Sequence, residues 1–151
     1  MITARFLEVW KAPATQMRLR PASLDDLPEI IRRMFLFYPR RASMTALPWM
    51  RRLLTSPEHL ALIGPNAFGI ARIGMFYGCE RKASVDILCS RPSAGGSLEA
   101  LRIVRKLAVW AGRRGLPTLR LDADTGVDFG PFAKRLKAKP VWMVKFEIPT
   151  R

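Results

Sequence analysis

A mixed α/β fold is what this sequence predicts, and three observations predict it. Segments with apolar residues at helical spacing alternate with short apolar runs bounded by Gly, Pro or Asn. Two of the short runs are joined by Gly64-Pro65-Asn66, a turn signal that makes them a hairpin. Near residue 91 a strand runs into a glycine-containing turn and then a long helix, the mark of an αβ unit. With 151 residues, 49% hydrophobic and 25% charged, the chain suits one globular domain rather than a disordered one.

Residues 1–16 read as an N-terminal extension, apolar at Phe6, Leu7, Val9 and Trp10 and closed by Ala12-Pro13-Ala14. Such a segment packs on the body or on a partner, and 17–151 is expected to form the single domain. Residues 17–20 alternate apolar and basic, as a short strand does. Ser23 followed by Asp26 resembles a capping box. Leu27, Ile30, Ile31 and Met34 then share one helical face, with Arg32 and Arg33 expected to point away. Pro28 is tolerable near the start, and Tyr38-Pro39 ends this helix.

A second helix is expected over 45–55, with Leu47, Met50 and Leu54 inward. Strands follow at 60–63 and 67–77, and Glu80-Arg81-Lys82 marks the next turn. The third apolar strand, 84–90, holds one acid, Asp86. The long helix is expected from 98 to 114, its buried stripe made of Leu101, Val104, Ala108 and Ala111 and broadened by Ile103, Leu107 and Trp110. Gly115 is its stop. A strand at 117–122, a short helix at 131–137 and a last strand at 141–148 complete the pass.

Charge is the unusual feature: 26 Lys and Arg against 12 Asp and Glu, a net charge of +14. Six arginines and no acid lie between residues 30 and 57, and six more cations and no acid between 100 and 121. Such a field attracts polyanions: nucleic acid, an anionic surface or a phosphate-rich cofactor. It is equally the field of a merely solvated surface. No apolar run approaches the roughly 18 residues of a membrane helix, and the start lacks a signal-peptide core. The chain is therefore read as soluble and cytoplasmic. Cys79 and Cys89 make neither a disulfide framework nor a metal motif, and Cys89 reads as a small core residue. One histidine, His59, cannot build a zinc site and argues against a Ser-His-Asp triad.

Arg91-Pro92-Ser93-Ala94-Gly95-Gly96-Ser97 is a physical anion site. The first amides of a helix lack carbonyl partners, the helix dipole adds partial positive charge, and glycines let a phosphate approach the backbone. Ser97 can cap the helix or bond a phosphate oxygen. Asp86 has two readings, a desolvated base or the ion-pair partner of Arg72 or Arg120.

Over 17–148 the element order resembles the GNAT family of acyl-CoA-dependent N-acetyltransferases. Met17-Arg18-Leu19-Arg20-Pro21-Ala22 with Asp25-Asp26-Leu27-Pro28 resembles that family's first strand and helix. Arg91 through Gly96 resembles its pyrophosphate signature, with Ala94 in place of the first glycine. Trp110-Ala111-Gly112-Arg113-Arg114-Gly115-Leu116 resembles its helix end. Ala94-Gly95-Gly96-Ser97 is also similar to an Arg-Gly-Gly-Arg form in GNAT-like proteins of tailed phages, without the arginines. The resemblance implies a mixed sheet of about six strands flanked by about four helices. It implies acetyl-CoA as cofactor, held by Arg91, Ala94, Gly95, Gly96 and Ser97 with Cys89 beside them, its pantetheine arm along strand 84–90. It implies an amine acceptor and Asp86 as catalytic base. The family's tyrosine acid has no counterpart in Phe129-Gly130-Pro131-Phe132-Ala133-Lys134-Arg135, so Cys89 or water would serve, or the thiolate leaves unassisted. Ala138-Lys139 stands where the family has Gly-Phe. A GNAT fold without catalysis, serving as a structural part of a phage-type assembly, is one alternative that the charge and the extension imply; a basic nucleic-acid-associated protein, which fits the charge but carries no recognised motif, is another.

Overall fold

The computed structural model describes residues 18–37, 46–76, 80–121 and 130–139. The N-terminal extension, residue 17, Tyr38-Pro39, Tyr77, Cys79, Asp122, Phe129 and the strand expected at 141–148 lie outside them.

Strand β1 (Arg20–Pro21) leads through a 3-10 turn (Leu24–Asp26) into helix α1 (Leu27–Phe37), then α2 (Ala46–Thr55). Strands β2 (His59–Ile63), β3 (Ala67–Phe76) and β4 (Glu80–Ser90) follow, then the long helix α3 (Ala94–Arg113), β5 (Leu119–Leu121) and the short helix α4 (Gly130–Arg135). The described sheet has five strands in the order β1-β2-β3-β4-β5. The first three pairings are antiparallel and β4–β5 is parallel, with α3 as the crossover.

The helix starts obey local chemistry. Ser23 donates its N–H to Asp26 Oδ2 at 2.8 Å, and Arg20 closes on the same carboxylate through two bonds of 2.7 Å. That pairing holds the Asp26 carboxyl below its ordinary range. At the other end of the fold, Gly115 adopts φ +77° just past α3, where a side chain would be strained.

Two apolar layers sandwich the sheet. Ile30 and Met34 of α1 with Met50 and Leu53 of α2 cover Ala61, Ile63, Phe68, Ile70, Ile87 and Cys89. Ile103 and Leu107 of α3 cover the opposite face, against Leu62, Ala67, Ala71 and Val85. Val85 and Ile87, two residues apart, ought to share a face but do not. The register explains it: Ile70 pairs with Ile87 and Ala71 with Val85, so Asp86 is an extra residue, a bulge in β4.

Four local expectations are corrected. Glu80-Arg81-Lys82 is not a turn but the first residues of β4, paired with Phe76, Met75 and Gly74. Glu80 and Arg81 are exposed there, so strand pairing does not take their charges out of water. Arg33 does not point away: its side chain is fully buried. Its Nε donates to Glu29 Oε1 at 2.6 Å and its Nη1 to the Gly64 and Ala67 carbonyls at 2.7 and 3.3 Å. Ala108 is exposed, and Glu99 is buried in the stripe instead. Finally, α3 starts at Ala94, four residues before the expected point, because Ser93 rather than Ser97 caps it: Ser93 Oγ accepts from Gly96 N–H at 3.0 Å.

Candidate functional site

Strand β4 carries both halves of the site, a turn at its end and the bulge at its middle. At the turn, Arg91 N–H donates to the Asn66 carbonyl at 2.7 Å, tying the β4–α3 junction to the β2–β3 turn. The same β2–β3 turn is gripped from α3, where Asn66 N–H donates to Glu99 Oε2 at 2.5 Å and Ala67 N–H adds a second bond. Burial raises the Glu99 carboxyl above its ordinary value, a rise that these bonds and the nearby Arg33 charge oppose. Buried Arg33 and Glu99 with half-buried Glu29 are thus an ionic cluster beneath the junction. None of the three stands out as withdrawn from water in a one-residue reading. Glu29 four before Arg33, and Glu99 four before Ile103, are the spacings that signal them.

Within the turn the two glycines do different work. Gly96 is buried, and a Cβ added there would lie 2.0 Å from the Arg91 carbonyl oxygen. Its lack of a side chain lets the turn close. Gly95 is exposed, with nothing nearer its absent Cβ than 3.9 Å. The Gly96 and Ser97 amides are already used, bonded to Ser93 Oγ and the Ser93 carbonyl at 3.0 Å each. Among the described residues, those of Ala94 and Gly95 have no hydrogen-bond partner. The open donors at this dipole end therefore belong to the first two residues of α3. Ala94, Gly95 and Ser97 are exposed, Arg91 is half-buried, and Cys89 lies in the core under α1 and α2. Burial pushes the Cys89 thiol up to about 12, so it keeps its proton.

At the bulge, Asp86 lies among polar neighbours aligned across the sheet. His59 pairs in register with Arg72, Arg72 with Ser84, and Ser84 with Arg120. Cross-strand partners share a face, here the face covered further along by α1 and α2. Asp86 Oδ2 lies 3.1 Å from Arg72 Nε, and Ser84 Oγ donates to Asp86 Oδ1 at 3.1 Å. The Arg72 partnership expected for Asp86 is present. Even so, burial outweighs these contacts and raises the carboxyl above its usual range. Burial likewise lowers the His59 imidazole, which stays neutral near pH 7, and its buried Nδ1 has no partner among the described residues. His59 and Ser84 escape a sequence reading because only strand register brings them beside Asp86.

Between bulge and turn, β4 has one edge without a strand partner among the described residues. Among the described residues it pairs with β5 only over Ala83–Val85, although β4 continues to Ser90. Among the described residues, its backbone from Asp86 onward has no strand partner on that side, as an extended ligand would need.

This architecture is the GNAT fold, that of the GCN5-related N-acetyltransferases. The chain is similar to the aminoglycoside antibiotic 6'-N-acetyltransferase AAC(6')-Ih from Acinetobacter baumannii at TM-score 0.73 and 19% identity, covering 90% of this chain and 99% of that one. It is similar to AAC(6')-Iy in complex with the bisubstrate analogue CoA-S-monomethyl-acetylneamine at TM-score 0.74 and 14% identity, covering 91% and 100%. A GCN5-related N-acetyltransferase from Ralstonia eutropha JMP134 superposes at TM-score 0.66 and 16% identity, covering 88% and 99%. No protein-family model and no curated protein sequence matches the chain.

Proposed function

We propose that the protein is an N-acetyltransferase that moves an acetyl group from acetyl-CoA to an amine. The observation that carries this reading is the single strand with a glycine turn and helix start at its end, an edge unpaired among the described residues, and at its bulge a carboxylate that burial raises above its ordinary pKa. Support comes also from the fold, which is shared with AAC(6')-Iy, a protein crystallised both with CoA and with a CoA bisubstrate analogue.

The Ala94 and Gly95 amides, with open space over Gly95, suit a pyrophosphate. The β4 edge beyond Val85, unpaired among the described residues, suits the pantetheine amides. Acetyl-CoA supplies an activated thioester carbonyl. Asp86 takes a proton from the attacking amine as its nitrogen bonds the acetyl carbon and the carbon–sulfur bond breaks. Ser84 and Arg72 hold that carboxylate in place from two sides. Helix α4, Gly130-Pro131-Phe132-Ala133-Lys134-Arg135, offers no tyrosine to protonate the thiolate, so water takes that part.

Acetyl-CoA should raise the melting temperature, and Gly95→Glu should abolish the shift without lowering the melting temperature of the free protein. Gly95 is chosen because Gly96→Glu would break the turn itself. No shift at millimolar acetyl-CoA would leave a GNAT fold without this activity.

A further inference from the structure

Independently of acetyl transfer, we infer that the outer face of α3, extended by α4, binds a nucleic acid along its phosphate backbone. Arg102, Arg105, Lys106 and Arg113 are all exposed. On a helix of 3.6 residues per turn they fall within an arc of about 100°, and Arg102 to Arg113 spans roughly 16 Å of axis. The arc faces away from the buried stripe of Ile103, Leu107 and Ala111. Helix α4 widens it: Arg105 Nη2 donates to the Arg135 carbonyl at 3.4 Å, so exposed Lys134 and Arg135 continue the same basic surface.

No exposed acid among the described residues shares α3 or α4 with this row. Among the described residues, ion pairs occupy Arg20, Arg32, Arg33, Arg72, Arg81 and Lys82, and none lies on α3 or α4. The one acid of α3, Glu99, is buried in the cluster under the turn, and α4 has none. A row of cations on one helix, in no ion pair among the described residues, gives up little to meet an anion. Three of its four α3 members are arginines, whose planar fork fits phosphate oxygens. A duplex presents a charge about every 1.7 Å of its axis, so the row meets several phosphates at once. A bilayer fits less well, since the apolar residues of this face, Leu98 and Val109, stand eleven positions apart and form no continuous strip.

The test is fluorescence anisotropy with a labelled DNA duplex of random sequence, across a salt series. The double variant R102Q/K106Q is compared with R51Q/R52Q, which removes the same charge from exposed positions on α2. Wild type should bind near 50 mM salt and weaken steeply with salt. R102Q/K106Q should lower the slope of log affinity against log salt by about 2 and weaken binding roughly tenfold or more, while R51Q/R52Q changes the slope by less than about 0.5. Saturating acetyl-CoA should leave DNA binding in place. Equal losses in the two variants, or no binding by wild type, would overturn the inference. So would displacement by acetyl-CoA, which gives the row to the cofactor, or equal competition by polyglutamate, which gives it to an acidic protein.

Discussion

Asp86 owes its chemistry to one inserted residue. Placed in the bulge, its carboxylate is largely withdrawn from water, and the Arg72 guanidinium only partly offsets the cost of ionising there. A carboxyl raised in the folded state contributes stability that is present at low pH and lost as pH rises through the folded value. Asp86→Asn should therefore be at least as stable as wild type near neutrality, yet turn over roughly 10²-fold more slowly. Arg72→Gln removes the neighbouring positive charge, so the acidic limb of the kcat/KM–pH profile should move to higher pH. A profile that stays where it was in Arg72→Gln would take Asp86 out of the mechanism.

At the scale of elements, the β4–α3 junction stands on a contact between elements far apart in the chain. Glu99 of α3 satisfies the Asn66 and Ala67 amides of the β2–β3 turn, and Asn66 in turn accepts from Arg91. Glu99→Ala would leave two buried amides and the Arg33 guanidinium with fewer partners, a loss of about 2 to 4 kcal/mol. Glu99→Gln keeps an acceptor for one amide and should cost less than half of that. Chemical denaturation of the two variants checks the order, and equal stability of Glu99→Ala and wild type would mean the contact holds nothing. The acid was hidden from a pattern reading by its apolar surroundings. Its neighbours at four-residue spacing, Ile103 and Leu107, mark the position as inward, and only the fold supplies the amides that make a carboxylate tolerable there.

Across the whole molecule, a net charge of +14 sets a repulsive field against folding. The described ion pairs are contacts of 4 Å or less, which salt screens weakly, whereas repulsion between separate arginine clusters acts over longer distances. Raising ionic strength from about 0.01 M to 0.15 M shortens the screening length from roughly 30 Å to 8 Å. The melting temperature should rise over that interval. A fall would mean that attractive pairs, not the excess of cations, dominate the electrostatics of the fold.

The order of strands and helices was legible in the sequence because apolar period and turn residues are local properties. So were the hairpin at Gly64-Pro65-Asn66, the Ser23–Asp26 helix start, the Gly115 stop and Asp86 as the acid of its strand. The strand–turn–helix junction at 91–97 was legible too, though its cap was not: Ser93 and Ser97 are both of a type that caps helices, and the backbone after β4 chooses Ser93. What tertiary structure alone decided are the properties that depend on register and burial. The bulge at Asp86 arises from pairing β4 with β3. The row of His59, Arg72, Ser84 and Arg120 exists only across four strands. The burial of Arg33 is set by the turn packed on it, because a guanidinium leaves water only where carbonyls and a carboxylate replace that water, and those come from residues up to 34 positions away.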